Sequence, residues 1–229
     1  MRSKSLTSSI KCDKVKPLKL KKKSPKSYSR ERCFLGKKVG KGYYGTVNEV
    51  NCKDIDKNLV IKKQLKTRLK DELNFAEEFS KIKVAPQIYD AFVCGRYAYI
   101  IMEKLDISID KYVKKNKNKK GFGSEYLKIY KTIISLHKKA KKNGLYRTDN
   151  HLGNYAGNLD RNGKLILKSI KMIDFGYCGY IKKGDKDLIY SDATLVYFFP
   201  YKNDFKYEFS KLEDMLDMTF KEAKKIVNK

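Results

Sequence analysis

The sequence predicts an α+β protein, with five short strands and one helix in its first part and a mainly helical second part. The helix is predicted over residues 67–83, where an apolar residue recurs every three or four positions: Leu69, Leu73, Ala76 and Phe79. The strands are indicated by β-branched and aromatic residues lying between turn-forming ones. Their predicted positions are residues 38–40, 46–50, 59–62, 87–93 and 97–102.

The second part contains a long predicted helix that runs from Ser124, a suitable N-cap, to about Lys142. Its apolar stripe faces a core, and Asn143-Gly144 is a good stop signal. A lysine- and asparagine-rich loop is expected at 114–120, and a hairpin turn at 161–163 leads to strand-like segments. The stripe consists of Tyr126, Ile129, Tyr130, Ile133 and Leu136, the strand-like segments are 165–167 and 170–173, and the remainder from Lys183 is predicted to be mostly helical.

Length and composition fit one large domain or two small packed lobes, preceded by a basic tail. The chain has 229 residues, of which 41% are hydrophobic, so it can bury a core. We expect residues 1–29 to form a flexible basic tail, because they are rich in Ser, Lys and Pro and lack periodicity. The N-lobe is expected over about 30–103 and the C-lobe over about 104–229.

The net charge of +27 favours acidic partners, and the tail is a candidate contact for polyanions. Much of this charge is lysine beside asparagine, isoleucine and tyrosine, a composition that A/T-rich codons alone can produce. No apolar run approaches the ~18 residues of a membrane span. The five cysteines are scattered and form no Cys-x-x-Cys pair, so neither a zinc site nor a disulfide framework is expected. We therefore expect a reducing, intracellular location, cytoplasmic or nuclear.

A glycine-rich motif occupies residues 40–47 (GKGYYGTV). A lone G-x-G-x-x-G is weak evidence, and the dinucleotide-binding form requires a helix after it. Here the following residues alternate as a strand does. The motif therefore predicts a β-hairpin whose glycines let backbone N–H groups approach phosphate oxygens.

A lysine at the end of the third predicted strand, Lys62, is a candidate phosphate contact if a carboxylate holds it in place. The following helix offers Glu72, Glu77 and Glu78. We prefer Glu72 because it lies a few turns before the Ala-Pro pair that ends the helix, and Glu77 stays open. A surface lysine is the competing interpretation in so lysine-rich a chain.

The strongest local signal is the segment 146–154 (YRTDNHLGN), in which Asp149 precedes Asn154 by five residues. Such a loop can present two oxygens to one site: the Asp to accept a proton from a hydroxyl, the Asn to bind Mg²⁺. Twenty residues after Asn154, an apolar strand ends in Asp174-Phe175-Gly176. A carboxylate at a strand end can hold Mg²⁺ together with triphosphate oxygens.

The order of these motifs resembles that of the protein-kinase superfamily over about residues 34–200. The resemblance implies a two-lobed fold with a five-stranded N-lobe and a shortened helical C-lobe, with ATP and Mg²⁺ as cofactors. It implies three catalytic residues, with Asp149 as the base, Lys62 on the α- and β-phosphates and Glu72 as the ion-pair partner of Lys62, and it implies two Mg²⁺ ligands. The implied Mg²⁺ ligands are Asn154 and Asp174. Met102 would be the gatekeeper, and Ser191-Asp192-Ala193-Thr194 would begin a helix. The other implied nucleotide contacts are Gly40, Lys41, Gly42, Tyr43, Tyr44, Gly45, Val47, Glu103 and Leu105.

Three departures from the family pattern bear on substrate class. Arg147-Thr148-Asp149 replaces His-Arg-Asp, no Ala-Pro-Glu follows Gly176, and the Asp-x-His-x-x-Asn form is similar to the loop of small-molecule phosphotransferases. The format is also similar to kinase-like proteins of large DNA viruses and to bacterial effector kinases, which implies a host-cell or virion location. We expect a monomeric serine/threonine protein kinase. The alternatives are a pseudokinase scaffold, a small-molecule kinase and a basic module that binds nucleic acid or membrane.

Overall fold

The computed structural model describes residues 5–12, 14–21, 28–42, 45–53, 55, 58–147 and 149–181. It confirms the α+β class, with one large antiparallel sheet, two small ones and several helices. The chain divides into two compact units, Met1–Lys104 and Leu105–Lys229. No helix within the described ranges is long and apolar enough to cross a membrane.

The first unit is built on a six-stranded sheet that contains all five predicted strands. Its strands are β1 (Lys16–Pro17), β2 (Cys33–Lys41), β3 (Gly45–Cys52), β4 (Leu59–Leu65), β5 (Ile88–Cys94) and β6 (Tyr97–Glu103). They lie in the order β1-β5-β6-β4-β3-β2. The central pair, β4 and β6, is in register from Leu59↔Glu103 to Leu65↔Tyr97, which fixes which β4 side chains share a face.

Helix α2 (Leu69–Lys81) is the helix predicted after the third strand. It begins two residues later than predicted because Lys66–Arg68 form a 3₁₀ turn. The predicted stripe of Leu69, Leu73, Ala76 and Phe79 is buried. Such a stripe anchors one face of an amphipathic helix on a core and leaves the opposite face polar.

The prediction of a flexible tail over residues 1–29 is wrong for the parts that the structure describes. A one-turn helix, α1 (Leu6–Ser9), buries Leu6 completely in a core cluster that includes Ile61 and Phe92. Strand β1 then pairs with β5 and adds the sixth strand. Because Ile61 and its neighbour Lys62 point to opposite faces of the sheet, this N-terminal segment covers the face opposite α2. Its few apolar residues are spaced among lysines and give no recognisable period.

The expectation of no disulfides is also wrong. Cys12 is bonded to Cys94, with an S–S distance of 2.06 Å, and Cys33 to Cys52 at 1.97 Å. The partners are 82 and 19 residues apart, so local spacing could not reveal them. Cys33 and Cys52 instead meet through the register of β2 with β3. A reducing compartment was expected because the cysteines showed no pairing pattern, and the two disulfides remove that reason.

Within its described residues, 105–147 and 149–181, the second unit combines two helices with two small sheets. Helix α4 begins at Phe122 rather than Ser124, after Gly121 with φ +80°, and ends before Asn143-Gly144 as predicted. Most of its predicted stripe is buried. The helices and strands of the second unit are α3 (Ile109–Asn116), α4 (Phe122–Lys142), β7 (Ile107–Ser108), β8 (Leu145–Arg147), β9 (Tyr155–Gly157), β10 (Lys171–Met172) and β11 (Cys178–Tyr180).

The two small sheets of this unit have the orders β10-β9-β7 and β11-β8. The predicted turn at 161–163 is present, with Gly163 at φ +74° and a bridge between Leu159 and Leu165. Helix α3 was not predicted, since lysine and asparagine dominate its second half. The helices predicted after Lys183, including the segment 191–194, lie outside the described residues.

Candidate functional site

The glycine-rich motif forms the predicted hairpin between β2 and β3, with Gly40 opposite Val47 and Lys41 opposite Thr46. The Gly42 N–H donates to the Gly45 carbonyl at 2.9 Å. The two residues at the tip, 43 and 44, lie outside the described residues. The described part therefore matches a hairpin rather than the strand-to-helix turn of a dinucleotide-binding motif.

Two of the hairpin glycines have different physical roles. A Cβ on Gly45 would lie 2.2 Å from the Lys63 carbonyl oxygen, so Gly45 is required by the close approach of β4. A Cβ on Gly42 would meet nothing within 4 Å. The Gly42 position therefore has room for a side chain among the described residues, and its N–H is already bonded within the hairpin.

Lys62 and Glu72 form a buried ion pair between β4 and α2. The side chains of Lys62 and Glu72 are 14% and 6% exposed. Glu77, the alternative partner, instead accepts the backbone N–H of Lys21 at 2.6 Å. The cost of desolvating two buried charges is about as large as the free energy gained from their attraction. The pair therefore adds little to the stability of the fold, and its arrangement suits a lysine that is held in place to bind an anion.

The two predicted adenine contacts differ in their backbone bonding. The Glu103 N–H donates to the Gln87 carbonyl at 2.9 Å, and the Lys104 N–H donates to the Asn58 carbonyl at 2.9 Å. Within the described part of the chain, no hydrogen bond involves the backbone of Leu105. Leu105 is half-buried, so its N–H and C=O are the better candidates for recognition of a base edge. Met102, the expected gatekeeper, is half-buried at the end of β6.

In the second unit, Asp149 and Asn154 meet through a direct side-chain hydrogen bond. The Asn154 Nδ2 donates to Asp149 Oδ2 at 2.8 Å and to the Asp149 carbonyl at 3.1 Å. Only the amide nitrogen can face a carboxylate, so the Oδ1 of Asn154 points away from Asp149. None of the described residues donates a hydrogen bond to this oxygen. The Asp149 side chain is 42% exposed and open to a substrate.

Asp174 is brought to the same place by backbone pairing. Strand β9 pairs with β10, and the Ile173 N–H donates to the Asn154 carbonyl at 2.8 Å. Asp174 follows directly and has a φ of +67°. This left-handed conformation is uncommon for residues other than glycine and is tolerated best by Asn and Asp. Backbone strain of this kind often marks a functional position.

The oxygens of Asn154 and Asp174 fit Mg²⁺. Both are hard oxygen ligands, and Mg²⁺ is commonly held by one or two carboxylates together with substrate phosphates and water. Across the described residues, no group of three or more His, Cys, Asp or Glu side chains is arranged to hold a metal ion.

A buried arginine, which the sequence analysis treated only as a departure from the family pattern, ties these segments together. Arg147 donates to the Asn154 carbonyl at 3.2 Å and to the Ile173 carbonyl at 2.7 Å. Its guanidinium lies 5.5 Å from the Tyr155 ring centroid and 5.9 Å from that of Phe175. One planar fork therefore holds the backbone of Asn154 and the carbonyl directly before Asp174, the two candidate Mg²⁺ ligands. Its position at the end of a short apolar strand in a lysine-rich chain is the only sequence signal for this role.

Behind the loop lies a buried chain of hydrogen bonds that sequence reasoning missed. His137 Nε2 and the Tyr155 hydroxyl are 2.7 Å apart, and this hydroxyl donates to Asn150 Oδ1 at 3.1 Å. Asn150 in turn donates to the Arg147 carbonyl at 3.1 Å. Burial, with a smaller effect of the nearby Arg147 charge, lowers the pKa of His137 to about 3. His137 is therefore neutral at pH 7 and buttresses the loop from α4.

His151 orders the loop through a contact with the backbone. Its Nδ1 accepts the Gly153 N–H at 3.1 Å, so in the neutral ring the proton sits on Nε2. That nitrogen lies 3.7 Å from Asp149 Oδ1. The two oxygens of Asp149 are thus approached by Asn154 on one side and His151 on the other.

The buried His137 predicts a pH dependence of stability. The folded state keeps the ring neutral down to about pH 3, whereas the unfolded chain takes up a proton below its ordinary pKa of 6.5. The contribution of His137 is therefore complete above pH 6.5 and falls by about 1.4 kcal/mol per pH unit as the pH decreases towards 3. Urea unfolding of the wild type and of His137→Gln, which keeps a hydrogen-bonding group but does not titrate, should diverge by this slope. Parallel pH profiles for the two proteins would contradict it.

No protein-family model matches the chain, and no curated protein matches its sequence.

Proposed function

We propose that the chain is an ATP- and Mg²⁺-dependent phosphotransferase of the protein-kinase superfamily, with a two-lobed fold. The observation that carries the proposal is the grouping of Asp149, Asn154 and Asp174 by hydrogen bonds and strand pairing. The buried Lys62–Glu72 pair of the first unit supports it independently. Carboxylate, amide oxygen and a held lysine are the groups that phosphoryl transfer requires.

Asn154 and Asp174 would hold Mg²⁺, which when bound neutralises charge on the phosphates. Lys62, kept in place by Glu72, binds phosphate oxygens, and the glycine hairpin covers them. Asp149 orients the acceptor hydroxyl and takes its proton. The acceptor oxygen forms a bond to the γ-phosphorus, the bond from that phosphorus to the β–γ bridging oxygen breaks, and ADP leaves.

A matched pair of charge-removing variants on α2 tests the role of the ion pair. Glu72→Gln is expected to lower kcat/KM for ATP at least about tenfold, because the ammonium of Lys62 loses the charge that positions it. Asp71→Asn removes a neighbouring exposed carboxylate and should leave turnover unchanged. Mg²⁺-dependent ADP formation measures both. Equal activity of the two variants would remove the role assigned to Glu72.

The acceptor is proposed to be a serine or threonine hydroxyl of a protein. The loop geometry around Asp149 is equally suited to a small alcohol, so the acceptor screen must contain both classes. Protein substrates are compared with amino-alcohols and aminoglycosides under the same conditions. Transfer only to small molecules would retain the phosphotransferase and replace its substrate class, whereas ATP binding without any turnover would indicate a pseudokinase.

A further inference from the structure

The N-terminal strap, defined as residues 5–12 and 14–21, contacts the polar face of α2 through Lys21. The Lys21 backbone N–H donates to Glu77 Oε1 at 2.6 Å. Its ammonium lies 2.7 Å from Glu78 Oε1 and 2.5 Å from Asn74 Oδ1. One residue of the strap thus contacts three polar side chains of a single helix through hydrogen bonds and an ion pair.

These three side chains lie on a different side of α2 from the site. Asn74, Glu77 and Glu78 are neighbours at helical spacing, whereas Glu72 shares its face with the buried stripe and holds Lys62. All four side chains belong to one helix of 13 residues, so a rigid rotation of α2 that broke the Lys21 contacts would also displace the Glu72 carboxylate. Lys21 also offsets the repulsion between two adjacent carboxylates.

The strap is itself fixed to the sheet at three points. Leu6 is buried in the core cluster, β1 pairs with β5 through Lys16↔Val93 and Pro17↔Phe92, and the Cys12–Cys94 disulfide closes the strap onto the end of β5. An isolated exposed ion pair contributes little because ordering two long side chains costs entropy. Here the backbone that carries Lys21 is already ordered, so its contacts can hold α2 in place.

We propose that Lys21 is a positioning residue that keeps α2 in the orientation in which Glu72 holds Lys62. The strap therefore acts on phosphate binding without touching the nucleotide. The consequence for turnover rests on the proposed function, whereas the effect on α2 does not. The two can be measured separately on the same full-length variants.

The first measurement is hydrogen exchange of the α2 amides in the full chain. Lys21→Ala is expected to increase exchange over residues 69–81 by about twofold to fivefold, the factor to which the free energy of an exposed ion pair converts. Lys21→Arg keeps the charge and should restore protection. Lys19→Ala is the matched control, since Lys19 is exposed in the same strap and has no hydrogen bond or ion pair within the described residues. Equal exchange in Lys21→Ala and Lys19→Ala overturns the proposal.

The second measurement is ATP turnover in a double-mutant cycle with Glu72→Gln. If Lys21 acts through Glu72, Lys21→Ala should lower kcat/KM about twofold to fivefold in the wild type and have no further effect in Glu72→Gln. The same loss in both backgrounds overturns the positioning role. If the wild type has no turnover at all, the proposed function fails, and the exchange measurement still decides whether Lys21 holds α2.

Discussion

Asp149→Asn is expected to lower kcat by about two to four decades, the contribution typical of a positioned acid–base group. The variant keeps an oxygen that can accept the Asn154 amide hydrogen, so the loop retains the 2.8 Å contact that the wild type makes. What it loses is the ability to take a proton from the acceptor hydroxyl. ATP binding should change little, because none of the groups assigned to phosphate binding is altered. Steady-state kinetics together with equilibrium titration of ATP separate the two effects.

The control for this variant is Asp110→Asn, which removes a carboxylate of α3. Within the described residues, this carboxylate forms an ion pair with the exposed Lys114. It should retain wild-type kcat, since a surface ion pair contributes little even to stability. A wild-type kcat in Asp149→Asn would exclude Asp149 as the base. A parallel loss of ATP affinity would instead assign it to nucleotide binding.

Asp174→Asn is expected to raise the Mg²⁺ concentration needed for half-maximal turnover by at least roughly 10- to 100-fold. Metal affinity falls by this factor when a residue that only supports a metal ligand is replaced, and loss of a ligand itself should cost no less. The replacement removes one negative charge from a hard-cation ligand. Asn is the appropriate substitute because it tolerates the left-handed backbone that Asp174 adopts at φ +67°. The loss can then be attributed to the missing charge rather than to backbone strain.

The measurement for Asp174→Asn is a Mg²⁺ titration of turnover, accompanied by ATP binding with and without EDTA. In EDTA the variant and the wild type should bind ATP alike, because the carboxylate then has no cation to hold. A difference that persists in EDTA would show that Asp174 acts on the nucleotide or on the fold. An unchanged Mg²⁺ requirement would exclude it as a ligand.

The elements that carry the candidate site could be predicted because each depends on local patterns. The stripe through Leu69 and Phe79 placed α2, and Glu72 lies one turn before Ala76 on the same buried face. The glycine spacing at 40–45 predicted a hairpin because the next residues alternate as a strand does. The Asp149–Asn154 contact follows from a five-residue spacing inside one short loop.

The parts that sequence reasoning missed depend on contacts between distant segments. The Cys12–Cys94 bond and the burial of Leu6 require β1 to reach the edge of the sheet. A lysine-rich segment has no regular spacing of apolar residues from which such strand pairing could be predicted. Likewise, the sequence shows His137 only as one polar residue on a helix face. Its partner is apparent only from the fold, which places the Tyr155 hydroxyl 2.7 Å from His137 Nε2. Tertiary pairing decided these features, and their correct prediction would have required the fold first.

The most direct test is transfer of the labelled γ-phosphoryl group from ATP, measured for the wild type beside Asp174→Asn with and without Mg²⁺. We expect Mg²⁺-dependent transfer by the wild type to an acceptor or to water, and transfer by Asp174→Asn reduced by at least about tenfold. Absence of transfer from the wild type across protein and small-molecule acceptors would contradict it. So would equal transfer by the two proteins.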